Sequence, residues 1–292
     1  MSILLRVAYH GAGFHGFARQ ADGPKGPVRT VQGELEAGLT RLYQQPVLTR
    51  GASRTDAGVH AQGQLVAYEP PFEIEPMSVA RALSGRLPRD LTVVAAWEQY
   101  GPDGDRIDVR AHNQGKHYRY EIRCTRARDP LAATRQWHLG RRVDPAVMHR
   151  AAQAFAGTHD YGSFRGARCQ SLTSERTIDS VTVEWGASPC GPARDVGRLD
   201  ARGHDGGDPG QGPDLVQIHV RGRAFLYNMV RIMVGTLVEI GRHRRPPELI
   251  SDLLADPDRR RAGPTAPAAG LTLVEVRWPP VPEVGVPAAN ST

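Results

Sequence analysis

The sequence predicts an α+β fold: two similar halves, each of largely antiparallel sheet with packed helices. Three observations carry this. Short apolar or alternating runs read as strands. Longer runs with apolar residues every three or four positions read as helices. The two kinds follow one another without the regular strand–helix–strand alternation of a parallel sheet. With 292 residues, 40% of them hydrophobic, the chain can bury a real core in one large unit or two modest ones.

The elements follow in order. "ILLRVAYH" (3–10) reads as a strand, and Val31, Leu35, Leu39 and Leu42 then share one helical face behind Thr30 as N-cap. "PVLTRGAS" (46–53) and "QLVAYEP" (64–70) read as strands around a glycine-punctuated loop, followed by a short helix (77–86) and the strand "LTVVAAWE". "KHYRYEIR" (116–123) sets Tyr118, Tyr120 and Ile122 on one face, as in a half-buried strand. Asp144 before Pro145 opens a helix that Val147, Met148, Ala151 and Phe155 continue. "TIDSVTVEW" and "LVQIHVRG" read as strands, and "LYNMVRIMVGTLVEIG" (226–241) as an apolar helix interrupted by Arg231. A helix (247–255) and the strand "LTLVEVRW" (271–278) complete the pattern.

Residues 1–105 are expected to form the first half and 106–279 the second, before a Pro-rich tail from 280 to 292. Segment 187–213, rich in glycine, proline and aspartate, reads as a long flexible insertion. The three cysteines are too widely spaced for a disulfide framework or a metal knuckle. No stretch is long and apolar enough to span a bilayer, and the N-terminus lacks a signal-peptide pattern, so the expected location is the cytoplasm. Basic residues number 37 against 31 acidic, for a net charge of +6. That excess suits a polyanionic partner such as nucleic acid. Nearly all of it is arginine, which GC-rich coding would also produce; Lys25 and Lys116 are the only lysines.

Two glycine-rich stretches compete as sites. "GAGFHG" (11–16) has the spacing of a dinucleotide-binding turn, but that turn must open directly into a helix, and "FARQADGPKGP" follows instead. It reads as a turn. "GASRTDAGVHAQGQ" (51–64) puts Arg54, Thr55 and Asp56 on the loop between two strands. Ionised Asp56 could act as a nucleophile or base without activation. Aspartate beside glycine also forms turns, and composition does not separate the two.

"SRTDAGVHA" (53–61) closely resembles the active-site loop of the tRNA pseudouridine synthase A family, whose usual form begins with glycine. "YHGAGFHGFARQ", "TVQGELEAGL", "KHYRYEI", "HDYGSFR", "FLYNMVRIMVG" and "GLTLVEV" follow in family order, so the resemblance spans about residues 3 to 278. It implies a pseudouridine synthase-like fold with the active-site cleft between the halves. It also implies an isomerase that converts uridine to pseudouridine at positions 38, 39 and 40 of the tRNA anticodon stem-loop, working as a homodimer. No metal, nucleotide or redox cofactor is implied. By motif position Asp56 matches the nucleophile and Tyr118 the tyrosine that stacks on the target base. Arg231 matches the arginine paired with the aspartate; read without the family, an arginine among Met229, Val230, Ile232 and Met233 needs either a carboxylate partner or a route to solvent. Arg54 matches the motif arginine, contacting RNA or ordering the loop, and Leu271 a leucine packing on the uracil opposite Tyr118. Read without the family, Tyr118 is equally a core aromatic. A non-catalytic RNA-binding member is the alternative, against which the joint presence of Asp56, Tyr118 and Arg231 stands.

The chain departs from the family pattern at Ser53, for glycine, and at His10, for aspartate. It departs again at Phe17, for tryptophan, and Thr272, for tyrosine. The run "GRHRR" (241–245) suits either RNA contact or a helix C-terminus.

Overall fold

A computed structural model of the chain describes residues 1–20, 26, 28–101, 106–186 and 214–279. The insertion expected at 187–213 and the tail from 280 to 292 lie outside the described residues.

Strand β1 (Ser2–Tyr9) leads through a 3-10 turn at Gly11–Gly13 to helix α1 (Val31–Tyr43). β2 (Thr49–Gly51), β3 (His60–Tyr68), α2 (Pro76–Ser84) and β4 (Leu91–Gln99) follow. Next come β5 (Gly115–Arg123), β6 (Trp137–His138), α3 (Pro145–Ala152), β7 (Gly157–Asp160) and β8 (Glu175–Gly186). β9 (Leu215–Gly222), α4 (Met229–Gly241), α5 (Leu249–Ala255) and β10 (Leu271–Arg277) complete the described chain.

The strands form one mixed sheet in the order β4-β1-β3-β10-β5-β9-β8-β7, with β2 added on β3 and β6 on β5. Pairing is antiparallel except between β10 and β3 and between β5 and β6. The last strand therefore lies between β3 and β5, joining the strand after the Asp56 loop to the strand that carries Tyr118. Alternation fixes which side chains face the core: Tyr118, Tyr120 and Ile122 are buried, while His117, Arg119 and Glu121 between them are half-buried.

Local chemistry starts the helices where expected. Thr30 Oγ1 accepts the Gly33 amide at 3.2 Å, and Asp144 Oδ1 accepts those of Ala146 and Val147 at 2.9 and 3.1 Å. α4 is apolar almost all round because it is buried almost all round. It starts at Met229, three residues later than the apolar run suggests, because Asn228 takes a left-handed conformation (φ 60°). Arg231 thus stands in the first turn of the helix instead of within it.

Other boundaries also differ from the sequence reading. β2 is confined to Thr49–Gly51 and leaves Leu48 exposed, whereas β3 starts at His60 and absorbs the end of the glycine-rich loop. β6 and β7 carry no apolar alternation and gave no signal. At the sheet's core, Arg123 is 2% exposed; its Nη1 donates to both carboxylate oxygens of Asp214 at 3.0 Å and its Nε to Gln136.

Candidate active site

Asp56 sits on the loop between β2 and β3, and the turn after β1 buttresses that loop. The Phe17 N–H donates to the Thr55 carbonyl at 3.0 Å, the Gly58 N–H to the Phe14 carbonyl at 3.3 Å, and Tyr9 Oη lies 2.7 Å from Thr55 Oγ1. Contact is so close at Gly11 that a Cβ there would overlap the Val59 carbonyl. "GAGFHG" is a turn whose glycines allow it to lie against the Asp56 loop, and no helix opens directly behind it. Gln64 grips the start of the loop: its Oε1 accepts the Ser53 N–H at 3.1 Å and its Nε2 donates to the Ser53 carbonyl at 2.6 Å.

Arg231 reaches this loop from α4. Its Nη1 lies 3.5 Å from Asp56 Oδ2, donates to Asn228 Oδ1 at 2.9 Å, and its Nε donates to the Ala266 carbonyl at 2.7 Å. The last contact exists because the segment before β10 crosses α4 at Gly235, where a Cβ would overlap the Pro264 carbonyl. Burial pushes the Asp56 carboxyl above its usual range, and the charge and hydrogen bond of Arg231 pull it only part of the way back. The ion pair is a partial compensation for desolvation.

Tyr118 is 7% exposed and meets Phe225 edge-on, with ring centroids 5.1 Å apart. Its Oη lies 2.8 Å from Ser53 Oγ, so the serine hydroxyl holds the phenol. Burial pushes that phenol up to about 12, opposed by Ser53 and reinforced by the Asp56 charge; it is neutral at physiological pH. Leu271 opens β10 and is buried opposite Tyr120 in the register, while Tyr118 pairs with Leu273. Leu271 and Tyr118 are therefore diagonal neighbours.

Asp56, Tyr118, Arg231, Leu271 and Arg54 all line one cleft of about 350 Å³. Arg54 is exposed and makes no hydrogen bond or ion pair among the described residues, so it does not brace the loop. Sequence reasoning missed three further kinds of lining residue. Ser53 was marked only as a departure, yet it bonds Tyr118. Asn228 orients Arg231, which its place before the helix could have signalled. Lys116 and Arg110 bring a second cationic group into the cleft; Lys116, two positions before Tyr118 in a strand pattern, was readable as sharing its face. Among the described residues no group of three or more His, Cys, Asp or Glu side chains could hold a metal ion. No helix among them is long and apolar enough to cross a membrane.

Comparison with known proteins bears on the identity of this site. The chain is 36% identical to a protein named tRNA pseudouridine synthase A from Myxococcus xanthus over 287 residues, covering 98% of this chain and 96% of the relative. A protein of the same name from Geobacter sulfurreducens is 34% identical over 95% of this chain and 99% of its own length. Another, from Methylobacterium nodulans, is 37% identical over 94% and 95%. The family model described as tRNA pseudouridine synthase matches residues 6–101 and 151–279, taking in both Asp56 and Arg231. The chain belongs to the tRNA pseudouridine synthase family.

Proposed function

We propose that the protein is an isomerase that converts uridine to pseudouridine at positions 38, 39 and 40 of the tRNA anticodon stem-loop. It works as a cytoplasmic homodimer, through a cleft between halves 1–105 and 106–279. The observation that carries this reading is the cleft itself. It holds a carboxylate paired with an arginine, an aromatic and an apolar side chain on neighbouring strands, and further arginines around them.

Isomerisation breaks the C1′–N1 bond, turns the uracil and joins it through C5; the C5 hydrogen leaves as a proton and N1 ends protonated, so mass is unchanged. Asp56 is the nucleophile, and Arg231 keeps its carboxylate charged and aimed. Tyr118 and Leu271 hold the base once it has left the helical stack. Their register supports the role: diagonal neighbours in an antiparallel pair stand about 7–8 Å apart. That is a spacing between backbone positions on one face of the sheet, and both side chains line the same cleft. Arg54 contacts the RNA backbone, consistent with its exposure and lack of a partner.

The test uses tRNA carrying tritium at uridine C5, since rejoining at C5 releases it to water. Transcripts with cytidine at 38, 39 or 40 locate the target. No release from any tRNA would reject the isomerase reading; release that persists with all three uridines replaced would reject the positions. Light scattering on the free protein tests the dimer.

A further inference from the structure

Lys116 lines the cleft and has no part in the chemistry above. It lies on β5, two positions before Tyr118 and on the same face, about 7 Å along the strand. The residue is half-buried, and its side chain makes no hydrogen bond, ion pair or ring contact among the described residues. The charged group that acts on it most is Arg110, another cation, and no carboxylate is among its influences. Burial together with that neighbour lowers the Lys116 ammonium to about 8. Arg110 also lines the cleft, donating through Nε to the Gly51 carbonyl at 3.2 Å and forming no ion pair. Asp108, two positions before it and like it exposed, accepts the backbone amides of Arg110 and Ala111 and also feels the Arg110 charge, but it is not part of the cleft lining. The cleft's charged lining is thus Arg54, Arg110, Lys116, Arg168 and Arg231 around the single carboxylate of Asp56, which Arg231 holds.

An unpaired ammonium taken out of water beside a guanidinium is unfavourable in the free protein. Such an arrangement is stabilised when an anion arrives between the two. We propose that Lys116 and Arg110 form a phosphate subsite in the Asp56 cleft, which takes a phosphodiester of the RNA strand carrying the target uridine. The subsite rests on the reading of the substrate as RNA. Its position supports the assignment: the base rests at Tyr118, and the backbone of that nucleotide lies one sugar away, at the scale of the Tyr118–Lys116 spacing. Arginine and lysine together suit the task, one as a planar fork and the other as a movable point charge.

Stability and binding respond in opposite directions, which separates this role from a structural one. Lys116→Met keeps the stem and removes the charge. It should weaken tRNA binding roughly tenfold or more and reduce the slope of log affinity against log salt by about one. Its melting temperature should stay level or rise. Lys116→Arg should keep the salt slope, and Arg110→Met should lower it as Lys116→Met does. Stem-loops with a single uncharged methylphosphonate locate the contact: one substitution should weaken the wild type but not Lys116→Met. Coupling at a phosphate flanking the target uridine assigns the subsite to that nucleotide; coupling further along assigns it to the neighbouring backbone. Wild-type affinity and salt slope in Lys116→Met would overturn the proposal, as would a lowered melting temperature with binding intact. Binding is measured without turnover, so a wild type that releases no tritium would reject the isomerase reading and leave this result standing.

Discussion

Arg231 Nη1 lies 3.5 Å from Asp56 Oδ2, across 175 residues of sequence, while the same guanidinium is held more closely by Asn228 and the Ala266 carbonyl. Two acceptors besides the carboxylate thus hold the guanidinium. Arg231→Met should therefore lower tritium release at least roughly 100-fold, since a carboxylate displaced by an ångström loses that much. It should also cost about 1–3 kcal/mol of stability for the acceptors left without a donor. Near-normal release by a folded variant would refute the pairing.

Asp56→Asn should abolish release, keep tRNA binding and its salt slope, and not destabilise the fold. The sign follows from burial. A carboxyl raised in the folded state costs stability at neutral pH, and that cost fades as pH falls through its folded value toward 3.8. The Asn variant should melt at or above the parent at pH 7, with the difference shrinking on acidification. Parent activity should fall on acidification through a point above 3.8. A variant clearly less stable at pH 7 would contradict this account.

The Ser53–Tyr118 hydrogen bond gives a third test. In a cycle of Ser53→Ala and Tyr118→Phe, stability should show a coupling of about 1 kcal/mol. Ser53→Gly should keep activity within about tenfold because it removes only the hydroxyl contact and leaves the Tyr118 ring in place. Zero coupling would mean the hydroxyls are neighbours without consequence.

β8 and β9 pair up to Gly186 and Leu215, so their ends are already adjacent. Replacing residues 189–211 by a short Gly/Ser turn should leave the melting transition and tritium release unchanged, provided that Asp214 is kept. Asp214→Ala should cost about 3 kcal/mol, because Arg123 would stay buried without its main counter-charge. A shortened chain that fails to fold with Asp214 present would show that the segment contributes to the core.

Much of this was legible in the sequence, for identifiable reasons. Strands with apolar alternation and helices with strong caps, such as Asp144–Pro145, declare themselves through local chemistry. Asp56, Tyr118, Arg231 and Leu271 were found through motif order, and each lines the cleft. What stayed hidden depends on contacts between distant segments. No local rule says that Ser53 meets Tyr118, that Asn228 turns left-handed ahead of α4, or that Lys116 has no acid near it. β6 and β7 escaped because two and four residues of mostly polar chain carry no period.

The position of β10 has a consequence for biosynthesis. Chains emerge from the ribosome N-terminus first, and β3 and β5 are complete long before Leu271–Arg277 appears. Until then β5 has an open flank along the residues that β10 will pair, β3 lacks its pairing with β10 at His60 and Ala61, and the cleft has Asp56 and Tyr118 but no Leu271. The nascent protein thus exposes free backbone groups of β5 and of the start of β3, the kind of surface that invites pairing with a foreign strand. Closure by the final strand removes that hazard and adds Leu271 to the cleft lining in one event.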